Sequence, residues 1–302
     1  MSMPDSLFLQ ILLSVTVSMA FGMDEDSVWR RDTEAWRAAR EQKLRSPDGW
    51  LSVSGLFYLK SGEQTFGSGK SCQIHLTPAS SQEIAGTLIV SDLGVHFQAS
   101  NGVNLKWNDN PVTSGMLGID PIQPEADSPD RLTIGTTTLH LIRRSGRLAI
   151  RLKDSANPLM TSFPGERWYP PNPDFRIAGR FTPYTEEKKV LIENIKGETH
   201  EEKLAGYVEC QLHDQTIRLD AIADTPETLF IIFRDRTSGR DTYGAGRFLS
   251  VIRPADGNVL LDFNRAYNPP CAYNPFTLCP IPPKQNHLDL AVTAGALKPI
   301  LP

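Results

Sequence analysis

Cysteine and histidine are scarce: four and six of the 302 residues. No two cysteines form a CxxC pair, and no two histidines stand at ligand spacing on a helix, which argues against a zincin-type protease. Basic charge is not in excess either, with 31 Lys and Arg against 35 Asp and Glu and a net charge of −4. Without a basic footprint, nucleic acid is excluded as the expected partner. A GxSxG nucleophile elbow is missing, so Ser238-Gly239 does not read as a serine hydrolase site. The glycines of GRDTYGAG have no helix behind them and make a weak phosphate cradle. No internal repeat of solenoid or propeller period occurs, and no cofactor or metal is expected. Past the N-terminus, no apolar run is long enough to cross a bilayer.

What remains is an ordinary globular composition, 40% hydrophobic and 22% charged, long enough for one large or two small domains. Residues 7–20 (LFLQILLSVTVSMA) are an apolar run of signal-peptide length, with Ser18 and Ala20 as the small residues before a cleavage site. Asp5 precedes the run where a basic residue is usual. The expectation is a signal over residues 1–22 and an exported mature chain; failing that, the start is misassigned and the chain cytoplasmic.

Residues 23–48 are expected to form one amphipathic helix, with Ser27 as N-cap and Trp29 and Trp36, seven apart, packed on the body of the protein. From Trp50 the period changes. Short alternating runs separated by Gly, Pro, Asn and Asp predict strands, with hairpin turns at Ser145-Gly146 and His213-Asp214. The fold class is therefore all-β, an antiparallel sandwich or barrel over residues 49–302, with lobes at 49–170 and 171–302 joined through the Pro-rich stretch FPGERWYPPNPDF.

Polar groups converge in one place. LFIIF, RFLSVI and VLLDFN read as an antiparallel meander, which places Asp235, Arg247, Asp262 and Asn264 at one sheet end beside the Thr237 to Tyr243 loop. Rigid sheets commonly display functional loops in this way. Asp235 and Asp262 could act as an acid–base pair with Arg247 positioning substrate, or could serve as turn caps and ion-pair partners.

FRDRTSGRDTYGAGRFL, then LDFNRAYNPPCAYNPFTLCPIPPKQNHL, resembles the signature of the bacterial and archaeal domain-of-unknown-function family 1684. GWLSVSGLFYLKSGEQTFGS resembles its N-terminal block, so the likeness would span about residues 36–295. The residues it carries over are Asp235, Thr237, Ser238, Gly239, Thr242, Tyr243, Arg247, Asp262, Asn264, Tyr267, Asn268, Pro269, Cys271, Tyr273, Cys279, Pro280 and Asn286. Ala296 stands where the family tends to have an acidic residue after Ala294-Gly295. The resemblance implies a location and no activity.

Two function classes follow. In the first, Thr237, Ser238, Tyr243, Asn264, Tyr267, Asn268 and Tyr273 line a pocket for a small polar or carbohydrate-like ligand, aromatic walls with a few placed polar groups. In the second, the chain is a hydrolase using Asp235, Asp262 and Arg247. A purely structural plug is the third reading. Cys271 and Cys279, separated by seven residues, leave four states open. A disulfide closing this short loop would contribute about 2–3 kcal/mol. The others are a metal site with His287 nearby, a reactive cysteine, and two unlinked thiols.

Overall fold

Alternating apolar residues on strands demand a second layer to bury them, and the chain answers this twice. The computed structural model describes residues 25–77, 81–119, 130–253 and 255–302; the expected signal, residues 1–22, lies outside them. In the first lobe, a six-stranded and a five-stranded sheet enclose a core that includes Phe66, Leu88, Phe97, Leu132, Leu139 and Ile150. Each such side chain contributes about 1.5–3 kcal/mol by leaving water. The hairpin Thr137–Arg144 with Arg147–Asp154 turns at Ser145 (φ 47°) and Gly146 (φ 74°), both left-handed as a two-residue turn requires.

The second lobe is a six-stranded antiparallel sheet ordered Arg247–Ile252, Thr228–Phe233, Gln215–Thr225, Thr199–Leu212, Arg176–Glu193, Asn258–Asp262. It curls until its two edge strands lie side by side without a ladder, so the sheet is nearly a closed barrel. This corrects the meander expected from sequence. Asn258–Asp262 does not pair with Arg247–Ile252; it pairs with Arg176–Glu193, with Asp262 opposite Arg176. Inside sit Val208, Leu219, Ile231, Phe233, Leu249 and Leu261, joined by Val292 and Ala294 from the C-terminal segment.

The helix Glu25–Leu44 lies over this lobe. The described helix already runs from Glu25, so Ser27 stands inside it and is not its N-cap. Its buried residues, Trp29, Thr33, Arg37 and Leu44, recur at helical spacing but are too polar to dock by the hydrophobic effect alone. Bonds hold it instead. Trp29 Nε1 donates to Asp262 Oδ2 (2.7 Å), and Arg37 donates to the carbonyls of Tyr169 and Asn264 (3.0 Å each) while lying 4.7 Å over the Trp168 ring. Trp36 is half-buried, edge-on to Trp168 at 5.8 Å.

Candidate functional site

Strand Thr228–Phe233 runs into a loop that closes on itself. Asp235 Oδ1 accepts the Thr237 N–H (2.7 Å), Ser238 Oγ accepts the Asp235 N–H (3.1 Å), and the Thr237 and Thr242 hydroxyls meet at 2.8 Å. Arg247 is fully buried. Its Nη2 donates to Asp235 Oδ2 (2.8 Å) and Val292 O (2.9 Å), and its Nη1 to the carbonyls of Ala294 and Ala296. Desolvation pulls the Arg247 guanidinium below its ordinary value and the Asp235 charge opposes that. The C-terminal segment has no ladder to satisfy these carbonyls, so the guanidinium does it. Both side chains of the pair are inaccessible to solvent.

Asp262 does a separate job. It caps the 3-10 turn Phe263–Arg265, accepting the Asn264 N–H at 3.0 Å and Asn264 Nδ2 at 2.9 Å, while its other oxygen takes the Trp29 indole. Asp235 and Asp262 have no partner in common, so the two carboxylates expected to converge are committed to different contacts. Asn264 exchanges two hydrogen bonds with the Asn172 backbone (2.8 and 2.9 Å), joining the Pro-rich connection to the signature segment. Asn268 Nδ2 donates to Leu297 O (2.7 Å), and Tyr243 Oη donates to Cys271 O (3.0 Å). The buried Tyr273 hydroxyl donates to Glu166, whose fully buried carboxyl is pushed above its ordinary value by desolvation, with Arg40 opposing.

Of the seven residues expected to line a ligand pocket, Tyr267 faces a groove. Trp36, Ala39, Arg40 and Lys43 of the helix form one wall, and Ser250, Arg265 and Tyr267 the other, enclosing about 380 Å³. Arg40 Cζ lies 3.9 Å over the Tyr267 ring, and the Tyr267 hydroxyl meets Ser250 Oγ at 3.2 Å. Arg40 also donates to Asn268 O (3.1 Å) and stands 3.5 Å from Glu166 Oε2, so its position is held from three sides. Arg265 Nε is 3.9 Å from Asp262 Oδ2, too long for a hydrogen bond. A second groove of about 450 Å³ follows the seam between the two edge strands beneath Val28 and Trp29 and shares Ser250 and Arg265 with the first. Sequence reasoning missed Arg40, Glu166 and Trp168. The four-residue spacing of Trp36 and Arg40 on one helix face was the available signal for the first.

No disulfide joins Cys271 and Cys279; all four cysteines are free. Cys271 N–H donates to Cys279 Sγ at 3.1 Å. Among the described residues no three His, Cys, Asp or Glu side chains are grouped to hold a metal ion, and the His287 ring bonds Pro282 O at 3.1 Å. Cys210 is buried as its alternation in the strand implied, and burial pushes its thiol up to about 11.

A sequence model of the family described as "Protein of unknown function (DUF1684)" matches residues 161–297, and the chain belongs to that family. The match covers the second lobe, the Pro-rich connection and the signature, a narrower span than residues 36–295. An uncharacterized protein of Haloarcula marismortui, solved by NMR, is 33% identical; the alignment covers 45% of this chain and 78% of that one, with a TM-score of 0.38. The FHA-2 domain of a Mycobacterium tuberculosis ABC transporter is 20% identical over 31% of this chain and 77% of its own, with a TM-score of 0.24. No curated protein matches the chain.

Proposed function

We propose that this member of the DUF1684 family is an exported β protein that binds a small polar ligand in the groove between its N-terminal helix and Tyr267. The carrying observation is the Tyr267 ring, packed 3.9 Å beneath Arg40, in a groove also lined by Lys43 and Arg265. Aromatic walls from Trp36 and Tyr267 with the Ser250 and Tyr267 hydroxyls suit a carbohydrate-like body, and three cations select one that bears negative charge, such as a sugar acid or another small carboxylate. Lys43 is exposed, which leaves its ammonium accessible to a ligand. Arg40 is braced by Glu166 and Asn268, so this wall is organised before a ligand arrives.

A thermal-shift array of neutral sugars, sugar acids and small carboxylates tests this. At a ligand concentration of roughly 100 times Kd, the folded state gains about 2.7 kcal/mol, a shift of several degrees. Tyr267→Ala and Lys43→Gln should remove the shift while leaving a cooperative unfolding transition. Stabilisation by no compound, or equal stabilisation of the Tyr267→Ala variant, would end the proposal. Neutral and acidic sugars acting equally would remove the charge selection. The export half rests on the apolar run at residues 7–20, and N-terminal sequencing of the protein recovered from its host should read a start after about residue 22.

A further inference from the structure

Two cysteines packed into one cluster at the margin of a core have a chemistry that neither the groove nor the buried ion pair uses. The Cys271 N–H donates to the Cys279 sulfur at 3.1 Å, both side chains belong to one packed cluster, and the Cys279 thiol lies 3.9 Å from the Thr277 hydroxyl. Their exposures differ: Cys279 is 4% exposed and packs with Ile192, Ile232 and Phe248, while Cys271 is only partly buried at the edge of that cluster. The backbone beneath Cys271 is fixed by the Tyr243 hydroxyl on its carbonyl. With the Cys271 backbone this close to the Cys279 sulfur, the pair is brought together by the fold and not by chain spacing alone.

We propose that Cys271 and Cys279 form a redox-active dithiol in which Cys271 reduces a hydroperoxide and Cys279 resolves the product to a disulfide. In the first step the Cys271 thiolate attacks the terminal peroxide oxygen. An S–O bond forms, the O–O bond breaks, and the leaving alkoxide or hydroxide takes the proton that the thiol released. In the second step the Cys279 sulfur attacks the Cys271 sulfur. The S–S bond forms, the S–O bond breaks, and water leaves with the Cys279 proton. Two electrons pass from the dithiol to the peroxide, which ends as one alcohol (or water) and one water. Protonation favours this order. The neighbouring Cys279 thiol holds the Cys271 thiol below its ordinary value against the opposing effect of burial. The Cys271 thiol in turn, and then burial, push Cys279 up. The attacking thiol is therefore the accessible one and the resolving thiol the protected one.

The proposal is independent of ligand binding in the groove, and its test reads only sulfur chemistry. The fully reduced full-length chain is exposed to equimolar hydrogen peroxide, quenched with an alkylating reagent at intervals, and mapped by mass spectrometry. A Cys271–Cys279 linkage should form and revert with a thiol reductant, with Cys271 consumed at least ~10-fold faster than the buried Cys210 in the same molecule. In Cys279→Ser, dimedone should trap a sulfenic acid at Cys271. In Cys271→Ser, Cys279 should remain a thiol. Cys271 consumption no faster than that of Cys210, or sulfenic acid trapped first at Cys279, overturns the assignment. The comparison within the unmutated chain holds even if a variant fails to fold.

Discussion

Arg247→Met should lower the unfolding free energy by about 3–5 kcal/mol, the usual cost of breaking a buried ion pair from one side. The replacement fills much of the volume but leaves the Asp235 carboxylate without its counter-charge, at zero side-chain exposure. It also strips hydrogen bonds from the carbonyls of Val292, Ala294 and Ala296. Urea unfolding of the two single variants and of Asp235→Asn/Arg247→Met gives the coupling between the sites. The double variant should recover part of the loss, because the stranded charge is gone while the carbonyls remain unpaired. A loss below 1 kcal/mol for Arg247→Met would show that the C-terminal segment does not depend on this guanidinium. The same variants bear on hydrolysis through Asp235: a folded Asp235→Asn protein without a turnover defect removes that carboxylate from any mechanism.

The second large effect is acid sensitivity in the first lobe. His140 is 1% exposed, both ring nitrogens lack a hydrogen-bond partner among the described residues, and burial drives its pKa down from 6.5 to about 3. Lys153, Arg131 and Arg151 lower it further, and Asp48 opposes them. The folded state holds the ring neutral where the unfolded chain would protonate it. Stability from this group is therefore complete above pH 6.5 and is lost as pH falls toward about 3. The slope approaches roughly 1.4 kcal/mol per pH unit inside that window. Glu166 has the opposite sign, since burial raises its folded pKa and acid relieves that cost. Denaturant midpoints measured between pH 7 and pH 4 should fall steeply for the natural chain and less steeply for His140→Phe. Parallel curves would exclude His140 as the titrating group.

Local chemistry carried much of the fold. Left-handed backbone at Ser145 and Gly146 follows from the need of a two-residue hairpin turn for positive φ, so that turn was legible, as was His213 (φ 52°) in a later hairpin. Alternation along the strands named Cys210 and its neighbours as core, because a strand's side chains change face at every residue whatever lies beside it. The signature segment, read as a string, marked out the residues that knit the helix, the connection and the C-terminal segment together. Strand partnership lay beyond this reading. Asn258–Asp262 pairs with a strand some 80 residues earlier, through backbone groups that every residue possesses equally. Side-chain roles at the site were equally nonlocal. Arg247 is satisfied by carbonyls from residues 292–296, and Tyr267 becomes a groove wall only because Arg40, more than 200 residues away, lies on its ring. Sequence alone determined which residues would be turns, core and signature, since those depend on each residue and its neighbours. Only the tertiary structure decided that Asp235 and Asp262 do separate work and that Tyr267 faces a groove, because both depend on curling the sheet and laying the helix across its seam.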